Sequence, residues 1–147
     1  MTGVFEVNSV EETWALARQF AAELKPGDVV CLEGDLGAGK TTFTQGLAAA
    51  LGVAGRVTSP TFCLVQEHRR VGKWESGKVP LLLVHMDLYR LRGEDDVLAI
   101  GWEDYLAEGA ILVVEWPERA GSLIPPTAKH VVFTHLDGHE RRRLEFA

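Results

Sequence analysis

Residues 34–42 form the most chemically specific stretch of the chain and read Gly-Asp-Leu-Gly-Ala-Gly-Lys-Thr-Thr. Gly34, Gly39, Lys40 and Thr41 fit the phosphate-loop pattern G-x-x-x-x-G-K-[ST]. Glycines in such a loop let backbone N–H groups curl around a phosphate without Cβ clashes, and the following helix adds its own free N–H groups. Lys40 can reach the β- and γ-phosphates, and the Thr41 hydroxyl can ligate Mg²⁺. The stretch therefore predicts a site for a nucleoside triphosphate with magnesium.

The sequence on both sides of this loop has the pattern that phosphate binding requires. An apolar run at residues 29–32 precedes the loop and predicts a buried strand, while apolar residues at helical spacing follow it: Phe43, Leu47, Ala50 and Leu51. The alternative is an ordinary glycine-rich turn between a strand and a helix. That alternative does not explain why a lysine and two hydroxyl groups follow the last glycine.

Two acidic residues each follow an apolar strand and are candidates for the same site. Asp87 comes shortly after the predicted strand 81–85, and Glu115 directly follows the run 111–114, which predicts a central parallel strand buried on both faces. Open α/β sheets place ligand-binding groups at the carboxyl ends of strands. Glu115 stands where phosphate-loop proteins usually carry an aspartate for Mg²⁺. The alternative for Glu115 is a helix cap or a rim residue.

His85 and the loop around residue 59 allow more than one interpretation. A buried, hydrogen-bonded core histidine is a better reading of His85 than a metal ligand. Ser59, Pro60 and Thr61 form a stretch of hydroxyl groups around a proline, which is poor core material. This stretch is either a switch loop that senses the γ-phosphate or a plain turn before a strand.

The remaining patterns predict the elements that position these residues. Ser9 and Glu12 form a capping box that starts a helix over residues 9–24. The predicted apolar stripe of that helix includes Trp14, which is expected in the core, with a position beside a base pocket as the alternative. Further predictions are a hairpin of strands 62–68 and 81–85, helical structure over 93–106 broken near Gly101, an edge strand at 4–7, and a C-terminal hairpin of 129–136 and 140–146 with a two-residue turn. Arg141, Arg142 and Arg143 would lie on a solvated edge strand of that hairpin or form a docking surface.

Length and composition are those of one globular domain over residues 1–147. The net charge of −6 argues against a protein that coats nucleic acid, which would need a basic surface. Cys31 and Cys63 are the only cysteines and are expected to be reduced core thiols. With no signal peptide and no apolar run near 18 residues, a cytoplasmic protein is expected.

Four stretches together resemble the bacterial TsaE (YjeE) family of tRNA threonylcarbamoyladenosine biosynthesis ATPases. They are the phosphate loop at 34–42, Ser-Pro-Thr-Phe at 59–62, His-Met-Asp-Leu-Tyr-Arg at 85–90 and Val-Glu-Trp-Pro at 114–117. Their order and spacing agree from about residue 9 to residue 117. The resemblance implies an α/β fold of the P-loop NTPase type, with three α/β/α layers around a mixed sheet that has a parallel core and antiparallel hairpins at its edges.

The resemblance also implies a function and roles for particular residues. Members hydrolyse ATP with Mg²⁺ while docked on the TsaB and TsaD proteins, and are required for the threonylcarbamoyl modification of tRNA. They are expected to act on tRNA indirectly, through that complex, and direct contact with tRNA stays open. Thr41 and Glu115 are expected to hold Mg²⁺, and Lys40 and Asp87 to be catalytic, with Asp87 orienting the attacking water. Trp116 is expected beside the site. ATP is expected to bind Asp35, Leu36, Gly37, Ala38, Gly39, Lys40, Thr41 and Thr42, with a nucleotide-sensing loop of Ser59, Pro60 and Thr61.

The residues themselves leave several alternatives open. Asp87 and Glu115 both end apolar strands, so either could be the closer Mg²⁺ ligand. No arginine is placed by a motif as an arginine finger, although Arg56, Arg90 and Arg119 are candidates, so slow turnover alone and stimulation by partners are expected. The rival functions are a small-molecule P-loop kinase and a nucleotide-gated binding module without catalysis.

Overall fold

The computed structural model describes residues 1–35, 38–53, 65–70, 80–138 and 140–147. The predictions for Leu36, Gly37, Ser59, Pro60 and Thr61 lie outside these residues, as do those for Arg56 and Cys63. The described strands are β1 (Gly3–Val7), β2 (Val29–Glu33), β3 (Val65–Arg69), β4 (Leu81–Asp87), β5 (Ile111–Glu115), β6 (Lys129–His135) and β7 (Arg142–Phe146). The described helices are α1 (Val10–Ala21), α2 (Lys40–Leu51), α3 (Glu94–Ala99) and α4 (Trp102–Ala107), followed by a 3₁₀ segment at Pro117–Leu123.

The strands form one mixed sheet in the order β1-β7-β6-β2-β5-β4-β3. Strands β6, β2, β5 and β4 run parallel to their neighbours in the centre, while β3, β7 and β1 pair antiparallel. The predicted mixed sheet with a parallel core and antiparallel hairpins at its edges is confirmed. The prediction that residues 141–143 lie on a solvated edge strand is wrong, because β1 pairs along the outer side of β7.

Apolar side chains of the sheet pack into two cores, one on each face. Val30, Leu32 and Val113 face α1 and α2 and pack with Phe20, Phe43 and Leu47 from those helices. Residues of opposite parity, such as Cys31, Leu112 and Val114, pack against the α3, α4 and 3₁₀ side through residues that include Val97, Trp102 and Ala120. All five residues of β5 are buried. This accounts for the continuous apolar run and confirms the predicted three-layer arrangement and the central position of β5.

Helix α1 begins as its capping pattern predicts but ends earlier and faces differently. The Glu12 N–H donates to the Ser9 side chain at 3.1 Å, while the Glu12 carboxylate accepts from the N–H of Asn8. The helix ends at Ala21 rather than at residue 24. Trp14 is 39% exposed, so its prediction as a core residue is wrong. The helix reaches the sheet through residues such as Leu16 and Phe20, which leaves Trp14 at the outer edge of the contact between α1 and α2.

Three further local predictions can be compared with the structure. Strands β3 and β4 pair as the predicted antiparallel hairpin over the described residues. Gly101 adopts a left-handed conformation, with φ of 103°, and separates α3 from α4 as predicted. The two-residue turn predicted between β6 and β7 is wrong: the Leu136 N–H donates to the Arg141 carbonyl at 3.0 Å, so four residues separate the ends of the hairpin.

Candidate functional site

The carboxyl ends of the parallel strands meet at one edge of the sheet and line a cavity there. Glu115 at the end of β5 lies beside Leu32 of β2 on one side and beside Asp87 of β4 on the other. Residues paired in this way point to the same face, which here is the face covered by α1 and α2. The cavity has a volume of about 950 Å³, and its lining includes Lys40, Thr41, Asp87 and Glu115. The strand order therefore brings together residues from three distant parts of the sequence.

The glycines of the phosphate loop allow the backbone to pack where no side chain fits. Gly34 has φ of 147°, and a Cβ on it would lie 2.6 Å from the carbonyl oxygen of Phe133. Gly39 has φ of 103° and precedes the first residue of α2. In the described part of the chain no side chain caps this helix. Its first N–H groups are therefore available to an anion, and the dipole of α2 favours negative charge there.

Lys40 is held inside the loop by two oxygen atoms. Its Nζ donates to the Gly34 carbonyl at 2.6 Å and lies 3.2 Å from Oε1 of Glu115. The side chain of Lys40 is only 11% exposed, and that of Glu115 is 8% exposed. The ammonium group thus lies between the phosphate loop and the acidic end of β5. From this position it could instead donate hydrogen bonds to phosphate oxygens.

Glu115 has a second partner in the fully buried His85. Nε2 of His85 lies 2.7 Å from Oε2 of Glu115, so the imidazole donates this proton to the carboxylate. Nδ1 of His85 has no hydrogen-bond partner among the described residues. Burial favours a higher pKa for Glu115, but the hydrogen bond and charge of His85, together with the charge of Lys40, outweigh it and hold the pKa below its ordinary value. Glu115 is therefore a carboxylate anion at neutral pH.

His85 confirms the prediction of a buried histidine and also makes a contact that was not predicted. It is a buried hydrogen-bonding residue, as expected, but the sequence analysis did not identify Glu115 as its partner. A signal existed in the spacing: His85 and Asp87 are two residues apart on one strand, so both face the side of the sheet on which Glu115 lies.

Asp87 lies one strand beyond Glu115 and is half-buried at the cavity wall. Its Oδ1 accepts the backbone N–H of Tyr89 at 2.9 Å. The Tyr89 ring packs against the Trp116 ring with centroids 4.8 Å apart, and both exposed rings line the cavity mouth. Trp116 has φ of 57°, the only positive φ of a non-glycine residue among those described. The structure thus places Trp116 beside the site, where it was expected.

Most of the other predicted site residues that the structure describes line the same cavity. Asp35, Gly39, Thr41 and Thr42 line the cavity, and Ala38 is buried beside them. Of the expected finger candidates, Arg90 lines the cavity, whereas Arg119 is not part of its lining. Arg142 of β7 also lines the cavity, a contact that no sequence pattern predicted.

The cavity offers oxygen ligands for a magnesium ion, but the described residues do not supply a complete coordination shell. The described segments hold no group of three or more histidine, cysteine, aspartate or glutamate residues that could bind a metal. Mg²⁺ commonly uses one or two carboxylates together with phosphate oxygens and water. The Glu115 carboxylate and the Thr41 hydroxyl on the same cavity fit that requirement.

Among the described residues, no helix is both long enough and apolar enough to cross a membrane.

Comparisons with known proteins agree on one family. The family model described as "Threonylcarbamoyl adenosine biosynthesis protein TsaE" matches residues 7–144. The tRNA threonylcarbamoyladenosine biosynthesis protein TsaE of Bacillus subtilis is 41% identical over 131 residues, which cover 89% of this chain and 77% of that protein. The Nostoc protein of the same name is 37% identical over 145 residues, covering 97% and 83%. The crystal structure of Bacillus subtilis YdiB superposes with a TM-score of 0.73 at 34% identity, covering 99% of this chain and 84% of that one.

Proposed function

We propose, because this chain belongs to the TsaE family of threonylcarbamoyl adenosine biosynthesis proteins, that it is the ATP-hydrolysing accessory subunit required for the threonylcarbamoyl modification of tRNA. It acts on a complex of the TsaB and TsaD proteins and reaches tRNA through that complex. The observation that carries the ATPase part is the 3.2 Å pair of Lys40 and Glu115 at the mouth of a phosphate loop. A lysine and a strand-end carboxylate in this position are the charged groups that phosphoryl transfer needs.

ATP binding exchanges the partners of Lys40. In the structure the ammonium group donates to Gly34 and pairs with Glu115, and in the complex it donates to the β- and γ-phosphates. Backbone N–H groups at the start of α2 hold the phosphates without a side-chain cap. The cavity of about 950 Å³ has room for the whole nucleotide, since ligand pockets of small molecules span roughly 300–1,000 Å³.

Thr41 and Glu115 are the residues that would hold Mg²⁺. When bound there, the ion would neutralise charge on the phosphate oxygens. His85 keeps Oε2 of Glu115 occupied at 2.7 Å, so Oε1, which now faces Lys40, is the oxygen that becomes available when Lys40 turns to the phosphates.

Asp87 is the residue that orients the attacking water. One of its oxygens is held by the Tyr89 N–H, which leaves Oδ2 to accept a proton from water. Its register beside Glu115 supports this role, because the γ-phosphate is expected on the side of the loop that carries the magnesium ligands. An aspartate that accepts a proton from the nucleophile performs the same task in other phosphoryl-transfer enzymes.

Arg90 lines the cavity, but no motif assigns it as an arginine finger, and a docked partner could supply that group. A missing arginine finger lowers the rate by roughly 10³–10⁵. We therefore expect very slow release of phosphate from the purified chain and a large increase when TsaB and TsaD are added together.

Phosphate release from ATP, measured with and without TsaB–TsaD, tests this function. The Lys40→Ala variant, prepared in parallel, controls for contaminating ATPases. Fast release that partners do not change would contradict the proposal. Full tRNA modification with a non-hydrolysable ATP analogue would instead favour a nucleotide-gated binding module, and phosphate transferred to a small metabolite would favour a kinase.

A further inference from the structure

Arg142 is the one member of the arginine run 141–143 that lies at the cavity. It is half-buried, and its neighbours on the strand point the other way. Arg141 and Arg143 both pair with Glu6, at 3.1 Å and 3.8 Å, on the opposite face of the sheet. Strand alternation therefore separates Arg142 from the surface ion pairs of its neighbours.

The side chain of Arg142 lies against the start of α2. A Cβ placed on Gly39 would be 3.8 Å from Cγ of Arg142 and 3.9 Å from its Nε. Gly39 is the residue directly before the helix whose first N–H groups face the cavity. Arg142 also donates from Nη1 to the Arg141 carbonyl at 3.1 Å, which holds the guanidinium close to its own strand. A cation is thus held at the same helix end that attracts anions.

The position of Arg142 differs from that of the other charged residues of the site. In the sheet, β6 and β7 lie on one side of β2, while β5 and β4, which carry Glu115 and Asp87, lie on the other. Lys40 and the metal ligands mark the side of the β- and γ-phosphates. Arg142 approaches the loop from the opposite side, which leaves it near the nucleoside end of a bound nucleotide.

We infer that Arg142 is a nucleotide-binding residue that contacts the α-phosphate end of ATP and ADP across the start of α2. This inference rests on the proposed function, because it names a further residue of the same nucleotide site. A guanidinium is suited to this task, since its planar donors match phosphate oxygens and the resulting hydrogen bonds are charge-assisted. Its position also means that Arg142 is not the missing arginine finger for the γ-phosphate.

Binding of Mg–ADP and of a magnesium-bound, non-hydrolysable ATP analogue to the purified chain, measured by calorimetry, tests the inference. Arg142→Gln should weaken binding of both nucleotides by the same factor, about 10- to 100-fold, because the contacted group is common to both. Arg143→Gln is the matched control, since it removes one positive charge from the adjacent position on the other face and should leave both affinities within about twofold. Thermal unfolding of both variants shows whether they are folded, and Arg142→Lys, which retains the charge, should recover part of the loss.

The other outcomes overturn either the inference about Arg142 alone or the proposed function together with it. A loss confined to the ATP analogue would place the guanidinium at the γ-phosphate and overturn the inference. Equal losses in Arg142→Gln and Arg143→Gln would show an effect of net charge alone, and unchanged affinity in Arg142→Gln would show no contact. Both results leave the proposed ATPase intact. Failure of the wild-type chain to bind either nucleotide overturns the proposed function, and the inference with it.

Discussion

At the scale of single residues, Glu115 has a site residue on each of its two carboxylate oxygens. Lys40 comes from the start of α2 and His85 from β4, and each occupies a different oxygen of its carboxylate. A buried carboxylate is costly unless its oxygens are hydrogen-bonded. Removing either partner would therefore leave one oxygen of this buried carboxylate without its partner.

The stability of the protein should depend on pH through Glu115. Its pKa in the folded protein lies below the ordinary value of 4.5, because the contacts of His85 and Lys40 outweigh burial. The ionised Glu115 carboxylate therefore stabilises the folded protein fully above the pKa that Glu115 has in the unfolded chain. This stabilisation is lost as the pH falls through the pKa of Glu115 in the folded protein. We expect the difference in free energy of unfolding between wild type and Glu115→Gln to shrink as the pH falls from about 5 to about 3. Urea denaturation across this range measures it, and a difference that grows in acid would contradict the prediction.

Lys40 and Asp87 should separate binding from chemistry. Lys40→Ala removes the cation at the loop and should weaken ATP binding, by about tenfold or more for a lost charge-assisted hydrogen bond. Asp87→Ala should still bind ATP with Mg²⁺ but lose hydrolysis, because its oxygen is needed only to orient water. Calorimetry and phosphate release on the same preparations measure the two effects. If Asp87→Ala fails to bind ATP–Mg²⁺, Asp87 belongs to the metal site and the roles assigned to Asp87 and Glu115 are wrong.

Among the elements, the contact of α1 with α2 sets the position of the phosphate-loop helix. Gly46 of α2 allows the two helices to approach closely, since a Cβ there would lie 2.8 Å from Cβ of Ala17 and 3.2 Å from Cα of Trp14. The second of these atoms belongs to the backbone and cannot turn away. A side chain at position 46 would therefore push α2, and with it Lys40 at its first turn, away from α1.

Gly46→Ala should destabilise the protein in spite of the better helix propensity of alanine. The propensity gain is about 1 kcal/mol, while overpacking costs about 1–3 kcal/mol. With contacts this short we expect a net loss of about 1 kcal/mol or more, seen as a lower midpoint of thermal unfolding. Ala17→Gly removes the nearest contact atom, so the cost of Gly46→Ala should be smaller in that background. An equal cost in both backgrounds would show that the helix contact is not its source.

For the whole molecule, charge limits what the chain can bind by itself. A net charge of −6 disfavours contact with the phosphate backbone of RNA, and this agrees with the proposal that tRNA is reached through partner proteins. Tyr89 and Trp116 are exposed at the cavity mouth, so they are accessible to a partner that docks there.

The purified chain should not bind tRNA at near-physiological salt. With a net charge of −6, the chain should gain little from the counterion release that drives binding to nucleic acid. A filter-binding titration measures this, with the TsaB–TsaD mixture as the positive sample. Salt-dependent retention of tRNA by this chain alone, with a dissociation constant of about 10⁻⁶ M or tighter, would contradict the prediction.

Much of the fold and site could be read from the sequence because the signals are local. The phosphate loop, the apolar run of β5, the break at Gly101 and the cap at Ser9 each depend on residues within a few positions of one another. Trp14 shows the limit of this reasoning. Helical periodicity identifies an apolar stripe, but the exposure of Trp14 depends on where α2 crosses α1.

By itself, the sequence determined the chemistry: a phosphate loop, two strand-end acids and the order in which they follow one another. Only the tertiary structure decided which of these groups touch. The order of strands places β5 next to β2, which sets Glu115 3.2 Å from Lys40, and β4 next to β5, which buries His85 against Glu115. It also turns Arg142, more than 100 residues beyond Gly39 in the chain, onto the start of α2. Such contacts depend on strand order and register, which no local pattern specifies.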